Sequence, residues 1–317
     1  MDRELLDLLC CPLDRTAPLT MAEDSLSCPA CGAVFPIDDG IVVFLSAQQL
    51  SEEEAREKDY RSAESEDYDD LYAGYTDAVE VPSVMHRVGR PFGPVLDAGC
   101  GTGRITEALV RLGQPVVAVD YSDACLRRMQ RRCAGGRVLA VQSDLRSIPV
   151  RSDAMAAVTC MEVHQHVRDH DRPRFVAELA RVLQPGATLV ISTFNFNVVF
   201  RAWSLLGNEG ARRGEHVLGN DYPYRRFGRS EFAAELSAAF DVEELTGIRN
   251  IPARSLAQAI RRVGLVGGGD RFLAYMTRRG LRVDHLLEHT PIARALGFFW
   301  LARAVKRPAA ARRLMPS

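Results

Sequence analysis

From about Val95 onward, short apolar runs alternate with amphipathic stretches along the chain. The apolar runs predict strands at 94–98, 116–120, 137–141, 154–160 and 187–193. The amphipathic stretches predict helices near 104–112, 123–133 and 172–183, the last ended by Pro185-Gly186. Such alternation is typical of an α/β fold with a doubly wound parallel sheet. The remaining predicted elements are a helix near 230–239, a strand near 240–247, a helical insertion at about 249–290 and a final strand over Gly297–Val305.

The first 46 residues have a different pattern, that of a small β domain. Asp39-Gly40 stands between two apolar runs and predicts a tight hairpin turn within Val34–Leu45. An acidic stretch of helix-forming composition follows, and its tyrosines indicate that it packs on the next domain. We therefore expect a small β domain at 1–46, an acidic helical linker that covers the ligand at 47–85, and an α/β domain at 86–317.

The amino-acid composition excludes several functional classes for this protein. The 317 residues include 40 basic and 41 acidic side chains, but the only lysines are Lys58 and Lys306. Neither follows a glycine, which excludes a phosphate-binding Gly-Lys loop, and neither has tyrosine four residues upstream, which excludes the Tyr-x-x-x-Lys dyad of many dehydrogenases.

The net charge of −1 conceals 12 acidic against 3 basic residues over Ser51–Glu80, and 20 basic against 11 acidic residues over 201–317. The basic third could face RNA, an anionic small molecule or a membrane surface, or its arginines could be dispersed without such a role.

The strongest motif is the glycine-rich run Val95–Arg104, Val-Leu-Asp-Ala-Gly-Cys-Gly-Thr-Gly-Arg. An apolar strand leads into glycines at alternate positions, which let the backbone turn sharply and approach a ligand, and a helix begins at once. The dinucleotide fingerprint G-x-G-x-x-G would need glycine in place of Arg104, so the spacing does not fit a pyrophosphate site. Asp97, two residues before the first glycine, suits a cationic ligand instead.

Two more acids follow the next two predicted strands. Asp120 ends the strand 116–120, where a carboxylate can accept both hydroxyl protons of a ribose. Asp144 follows the strand 137–141, near where an adenine amino group would lie. Both acids therefore fall where a nucleoside-binding sheet needs them.

Together these stretches resemble the class I S-adenosylmethionine-dependent methyltransferases, in register from Val95 to about Thr193. The resemblance implies a Rossmann-like sheet of seven strands whose last strand is antiparallel. It also implies S-adenosylmethionine as cofactor, with the first loop around the methionine moiety, the second acid on the ribose and the third motif at the adenine. The residues that it assigns to cofactor binding are Asp97, Gly99, Gly101, Thr102, Gly103, Asp120, Tyr121, Asp144, Leu145 and Met161.

Thr159–Val167, after the fourth strand of the sheet, is the stretch in which such methyltransferases read their acceptor. It lacks the [Asn/Asp]-Pro-Pro-[Tyr/Phe] clamp of the amine-methylating branch and the Pro-Cys nucleophile of the cytosine-C5 branch. It resembles the Leu-Glu-His-Val pattern of small-molecule methyltransferases, with His166 at the histidine and His164 at the leucine. Each histidine is a candidate general base, since imidazole titrates near neutral pH, and the alternative for each is packing or capping. In-line alignment of the acceptor can supply up to ~7–11 kcal/mol, so the site residues could be mostly positioning groups.

Four of the eight cysteines crowd the first 31 residues. Cys28-Pro-Ala-Cys31-Gly has the pattern of a zinc knuckle, in which a turn presents two thiolates to one metal ion. Its partner is Cys11-Pro-Leu-Asp14, and Cys10 is a further thiol nearby. Three outcomes are open: a site of Cys11, Asp14, Cys28 and Cys31, a site of four cysteines that includes Cys10, or a ribbon without metal. Structural zinc is favoured, because a unit of about 45 residues buries too little to fold easily alone.

This segment also resembles the small zinc-ribbon partner of tRNA and release-factor methyltransferases, through Cys11-Pro12, Pro18-Leu19, the knuckle and Phe35–Ile41. A zinc ribbon likewise precedes the methyltransferase domain of the 23S rRNA guanine-N1 enzymes. The ribbon could therefore help to hold RNA. A structural role, shielding the catalytic domain or mediating self-association into a homo-oligomer, is favoured.

The sequence thus predicts a methyltransferase that acts on a small-molecule acceptor, a metabolite or natural product, on oxygen, carbon or nitrogen. The alternatives are an rRNA or tRNA base methyltransferase and a non-catalytic module that has kept the cofactor fold. Asn220–Phe227 is the best candidate for a substrate lid, with an ordinary surface loop as the alternative. The amino terminus lacks a secretory signal, and the longest uncharged run, between Arg181 and Arg201, contains turn residues, which predicts a cytoplasmic protein without a transmembrane segment.

Overall fold

One sheet unites the strands that the computed structural model describes, which lie within residues 1–15, 18–45, 58, 62, 75–205, 224–249, 281–288 and 290–308. In chain order these strands are β1 Thr20–Met21, β2 Ser25–Ser27, β3 Val34–Asp38, β4 Ile41–Val43, β5 Val95–Ala98, β6 Val116–Asp120, β7 Val138–Gln142, β8 Met155–Cys160, β9 Leu183–Phe194, β10 Phe240–Ile248 and β11 Phe299–Lys306. Their spatial order is β1-β2-β3-β4-β7-β6-β5-β8-β9-β11-β10.

The seven strands β5 to β11 are those that the apolar periodicity predicts. Strands β7, β6, β5, β8 and β9 are parallel neighbours, and β11 lies antiparallel between β9 and β10, as expected. Strand β9 begins earlier than predicted. Pro185-Gly186 lies inside it instead of ending the preceding helix, because that helix already stops at Val182 and the pairing of β8 with β9 shifts register at this point.

The helices predicted near 104–112, 123–133, 172–183 and 230–239 are all present, and the structure describes further helices outside these ranges. The described helices are α1 Arg3–Leu6, α2 Tyr75–Val88, α3 Arg104–Arg111, α4 Asp123–Arg132, α5 Arg172–Val182, α6 Val198–Leu205, α7 Arg229–Ser237, α8 Leu281–Glu288 and α9 Pro291–Leu296. Two single 3-10 turns, Leu145–Ser147 and His164–His166, follow β7 and β8. In this part of the chain, every helix is too short or too polar to cross a bilayer.

Much of two predicted segments lies outside the described residues. Of the acidic linker 47–85, the structure describes Lys58, Ser62 and part of helix α2, which continues past the predicted end of the linker. Of the insertion at 249–290, it describes Arg249, helix α8 and residue 290. The first half of the candidate lid, 220–223, is also outside this part of the chain.

The amino-terminal strands continue the α/β sheet. Asp39 and Gly40 both have positive φ, 46° and 77°, and form the predicted two-residue turn between β3 and β4. Strand β4 then pairs in parallel with β7, with Val42 opposite Val141. Val42 and Phe44 are buried in the same hydrophobic core as Val141, so one core spans both parts. The hairpin thereby covers an edge strand whose backbone groups would otherwise stay unpaired.

Polar contacts reinforce this junction. The backbone N–H of Cys10 donates to the carbonyl of Pro149 at 3.1 Å. The Arg15 guanidinium donates to Glu178 Oε2 at 2.7 Å and to the Ser147 hydroxyl at 3.0 Å. Only 11% of the Glu178 side chain is exposed, so this ion pair is partly shielded from solvent.

Candidate cofactor and acceptor site

The glycine loop joins the end of β5 to the start of α3. Gly99, Gly101 and Gly103 all have positive φ, a region that L side chains rarely adopt. A Cβ atom on Gly99 would come within 2.2 Å of Val163 Cγ2, so glycine is required there for close packing against the loop after β8. A Cβ atom on Gly101 would meet nothing within 4 Å. The backbone at Gly101 therefore borders open space, as a loop that receives a ligand should.

Asp120 ties this loop to the next strand end. Its Oδ2 accepts from the backbone N–H of Gly101 at 2.8 Å, and its Oδ1 accepts from the N–H of Ser122 at 2.9 Å. The carboxylate is only partly buried. Its contact with ribose hydroxyls stays a prediction. The following residue, Tyr121, accepts a hydrogen bond at its carbonyl from the Gln142 side chain at 3.0 Å.

Asp97 lies in a more buried place than its motif suggested. The residue is 2% exposed, and its two carboxylate oxygens accept from the hydroxyls of Thr106 at 2.6 Å and Thr159 at 2.8 Å. Burial raises the pKa of Asp97 to about 6, although both hydroxyl hydrogen bonds act in the opposite direction. Asp97 thus joins β5, α3 and β8, and its contact with a cationic ligand stays a prediction.

The remaining predicted cofactor residues border the loop or support it. Asp144 accepts from the backbone N–H of Arg146 at 2.7 Å, pairs with that arginine's guanidinium, and so caps the turn Leu145–Ser147. Leu145 Cδ1 lies 3.7 Å from the position that a Cβ on Gly99 would take. Thr102 is 1% exposed and accepts at its carbonyl from Arg132, while Met161 is 8% exposed in the hydrophobic core. Their contacts with a cofactor stay predictions.

His164 is held in the protein interior. It is 0% exposed; its Nδ1 lies 3.1 Å from the Thr193 hydroxyl and its Nε2 lies 2.8 Å from Glu235 Oε2. Burial lowers the pKa of His164, whereas its hydrogen bond to the Glu235 carboxylate acts in the opposite direction. Because both ring nitrogens have protein partners, the geometry favours the packing alternative over a general base.

His166 lies beside a group of aromatic rings. Its ring centroid is 6.4 Å from those of both Phe194 and Tyr224. Phe194 also lies 4.8 Å from Tyr224 and 5.5 Å from Phe298. We call His166, Phe194, Tyr224 and Phe298 the aromatic wall. It stands at the carboxyl ends of the central strands, the edge at which open α/β sheets bind their ligands.

Several residues around the site carried no usable sequence signal. Glu235 reaches His164 from 71 positions away, and no local motif marks that partnership. Thr159 belongs to an apolar strand run, and its bond to Asp97 depends on the pairing of β5 with β8. Gln165 did offer a signal, because it occupies the glutamate position of the Leu-Glu-His-Val pattern.

The predicted metal ligands converge. The ligand atoms of Cys11, Asp14, Cys28 and Cys31 all lie within 4.8 Å of one another. The Cys11 and Cys31 sulfurs are 3.6 Å apart, and Cys28 Sγ is 2.8 Å from Asp14 Oδ2. Zinc bonds of ~2.3 Å to sulfur and ~2.0–2.2 Å to oxygen fit a tetrahedral site of this size and donor set. Cys10 is outside this group, so the geometry favours the alternative with Asp14.

Comparison with known proteins agrees with this geometry. A family profile described as "Methyltransferase domain" matches residues 95–186, and one described as "Trm112p-like protein" matches residues 2–40. The ubiquinone biosynthesis O-methyltransferase of Xanthomonas campestris pv. campestris (strain B100) is 32% identical over 185 residues, which cover 57% of this chain and 76% of that protein.

Solved structures share the fold at lower identity. The Burkholderia thailandensis 1,6-didemethyltoxoflavin-N1-methyltransferase, solved with S-adenosylhomocysteine, aligns with a TM-score of 0.51 at 17% identity over 92% of this chain and 100% of that one. The complex between the Haloferax volcanii Trm112 methyltransferase activator and a putative methyltransferase gives 0.51 at 17% identity, over 78% of this chain and 98% of the other.

The glycine loop, the two carboxylates that follow it and the seven strands β5 to β11 of the sheet define a class I methyltransferase fold. The chain belongs to the S-adenosylmethionine-dependent methyltransferases and carries a Trm112-like zinc-ribbon segment at its amino terminus.

Proposed function

We propose that this methyltransferase transfers the methyl group to a hydroxyl oxygen of a small, flat acceptor. The observation that carries the proposal is the aromatic wall at the carboxyl ends of β8 and β9, where the tilted rings of Phe194 and Tyr224 have centroids 4.8 Å apart. Aromatic surfaces favour flat apolar ring systems by offset or edge-to-face contact. The resemblance to an O-methyltransferase supports oxygen over the carbon and nitrogen alternatives.

The residues of the cofactor side act by positioning. With the cofactor bound, Gly101 would offer its backbone to the methionine moiety, Asp120 would accept the ribose hydroxyls, and the turn after Asp144 would border the adenine. The bound cofactor supplies an activated methyl group on a sulfonium. The chain then needs only to hold the acceptor oxygen in line with the carbon–sulfur bond, an arrangement that can contribute up to ~7–11 kcal/mol.

His166 is a better candidate than His164 for the general base that takes the proton from the acceptor's hydroxyl group. It belongs to the aromatic wall and is partly exposed, whereas His164 is enclosed and bridges Thr193 and Glu235. The bound cofactor would supply the methyl group, and the imidazole of His166 would accept the hydroxyl proton that the acceptor oxygen loses on methylation.

The charge distribution supports a small acceptor over RNA. Within the described residues of the basic third, several arginines are already paired with carboxylates: Arg225 with Asp169 at 3.1 Å, Arg249 with Glu162 at 3.4 Å and Arg307 with Asp241 at 2.7 Å. Arg226 is buried, with its guanidinium 3.8 Å from the Phe200 ring centroid. Paired and buried arginines offer little to a phosphate backbone, for which affinity depends on unpaired surface cations.

The test is methyl transfer from labelled S-adenosylmethionine into a cell extract separated into RNA and low-mass fractions. We expect label in the low-mass fraction as a methyl ether. Label confined to RNA would refute the proposal and favour the RNA alternative. An RNA affinity that is flat between low and moderate salt would argue against a phosphate-reading groove independently of the labelling result.

A further inference from the structure

Helix α6 presents apolar side chains to solvent. None of its residues is buried, and Leu205 is 88% exposed. Its exposed residues are Val198, Val199, Ala202, Trp203 and Leu205, which are apolar, and Arg201. With ~3.6 residues per turn, the five apolar positions fall on one continuous side of the helix. A surface helix normally has polar residues on its solvent side, so this reversed arrangement indicates an interaction surface.

Helix α9 extends this apolar side. The Asn197 side chain, just before α6, donates to the carbonyl of Leu296 at the end of α9, at 3.3 Å. Ile292 and Leu296 of α9 are 48% and 42% exposed. We call the five exposed apolar residues of α6, together with Ile292 and Leu296, the α6–α9 surface. It adjoins the aromatic wall, because the ring centroids of Phe200 and Phe298 are 6.2 Å apart.

Exposed arginines border the α6–α9 surface. Arg201 lies on α6 and Arg294 on α9, and Arg229 is the first residue of α7. Arg201 Nη2 lies 3.8 Å from the position that a Cβ on Gly228 would take, which places Arg229 beside α6. Within the described part of the chain, none of these three arginines is paired with a carboxylate. The surface therefore combines exposed apolar side chains with positive charge that is not neutralised.

We propose that the α6–α9 surface docks on an anionic lipid membrane. The apolar side chains enter the headgroup region, and the three arginines contact the lipid phosphates, as basic residues do beside the apolar face of an interfacial helix. Trp203 suits this position, since indole rings favour the boundary between membrane and water. Docking does not depend on which acceptor is methylated.

The charges favour a membrane over other occupants of the surface. A second copy of the chain, related by a two-fold axis, would place the arginines of both copies near one another. An RNA backbone would meet the arginines but would leave the apolar side chains against phosphate and water. An anionic bilayer surface satisfies both the apolar and the basic groups.

The test is flotation of the full-length protein with lipid vesicles. One set contains phosphatidylcholine alone, and the other contains equal parts of phosphatidylcholine and phosphatidylglycerol. We expect binding to the mixed vesicles, weaker binding to the neutral ones, and a loss of binding as salt screens the arginines. Leu205→Glu should weaken binding roughly tenfold or more, because it removes a large apolar side chain from the contact. Arg294→Gln should weaken it roughly fivefold.

Matched controls come from the loop before β5, at the opposite edge of the sheet. Phe92 is fully exposed, and Arg90 is exposed and has no carboxylate partner among the described residues. Phe92→Glu and Arg90→Gln make the same changes in charge as the two test variants, and we expect them to bind vesicles like wild type.

Three results would overturn the proposal. The first is wild-type protein that does not float with mixed vesicles, and the second is an equal loss of binding in test and control variants. The third is a dimer in analytical ultracentrifugation that Leu205→Glu dissociates, which would assign the surface to a second copy of the chain. Because Leu205 and Phe92 are both exposed, their variants should keep the wild-type melting temperature.

Discussion

Replacing Asp97 by asparagine should make the protein more stable at neutral pH. Asp97 is buried, with Thr106 and Thr159 as hydroxyl donors, and its pKa is raised from 3.8 to about 6. Folding therefore favours the protonated carboxyl group. The unfolded chain loses this proton near pH 3.8 and the folded chain loses it near 6, so the folded state binds more protons in between. The contribution to stability is fully present below pH 3.8 and is lost as the pH rises through about 6.

The size of this effect on the unfolding free energy follows from the shift in the pKa of Asp97. A displacement of about two pKa units corresponds to roughly 3 kcal/mol of unfolding free energy lost across the window. Asparagine does not ionise and so avoids that loss. It replaces one acceptor oxygen by an NH2 group, which costs about 1 kcal/mol if one threonine hydroxyl must reverse its role. The net gain of Asp97→Asn at pH 7 is therefore about 2 kcal/mol.

The assay is denaturant unfolding of wild type and Asp97→Asn at pH 4, 5.5 and 7. We expect the stability difference to change in favour of the variant by roughly 2 kcal/mol from the lowest to the highest pH, since part of the loss has already occurred at pH 4. Asp24→Asn, at an exposed position, controls for the change in net charge. A difference that does not vary with pH would refute the reasoning, because it would show that Asp97 ionises alike in the folded and unfolded chains.

The same variant also decides what Asp97 does for the cofactor. A carboxylate in direct contact with the cationic methionine moiety predicts a tenfold or greater loss of S-adenosylmethionine affinity on losing its charge, since hydrogen bonds to charged groups contribute ~1.5–3 kcal/mol. Unchanged affinity by calorimetry would assign Asp97 to holding β5, α3 and β8 together.

Three further outcomes are expected. Asp120→Asn should weaken S-adenosylmethionine binding roughly 10- to 150-fold by calorimetry, because it removes the charge and one backbone hydrogen bond; unchanged binding would contradict the ribose assignment. His166→Ala should lower kcat by about 10²–10⁴ without changing cofactor affinity and should remove an ionisation from the pH–rate profile, while an unaltered profile would exclude it as the base. Cys28→Ser should reduce bound zinc below half an equivalent by metal analysis and lower the melting temperature. Cys10→Ser should retain about one equivalent of zinc, and loss of zinc from that variant would instead make Cys10 the fourth ligand.

The elements of the sheet could be predicted because burial leaves a strong pattern in sequence. Strand β6 is an unbroken apolar run, Val-Val-Ala-Val, since a parallel strand is covered on both faces. The early start of β9 could not be predicted in the same way. Its residues Gln184, Pro185 and Gly186 are exposed and lack a strand pattern, and they lie at the register shift between the pairs Met155–Leu183 and Ala157–Thr188.

The residues of the candidate site differ in the same way: some are marked by a local sequence pattern and others are not. Gly99, Gly101 and Asp120 belong to local motifs, in which the turn chemistry and the strand end fix what each residue can do. The environment of His164 depends instead on Thr193, which the pairing of β8 with β9 brings near, and on Glu235, which the packing of α7 on the sheet brings near. A titratable residue in a motif therefore indicates a place in the fold, and its protonation state and availability follow from partners that are distant in sequence.

The junction between ribbon and sheet gives the metal a role beyond the first 46 residues. Asp14, a proposed zinc ligand, is followed directly by Arg15, which reaches Glu178 on helix α5 at 2.7 Å. A ligand set that fixes Asp14 also fixes the position from which Arg15 extends. The β3–β4 hairpin of the ribbon supplies the strand that covers β7, and β7 leads to Asp144. A metal bound by Asp14 would thus be linked to helix α5 through the ion pair of Arg15 with Glu178, and the edge strand is linked to Asp144 through the backbone pairing of β4 with β7. The amino-terminal ribbon supports the catalytic sheet from within the same chain.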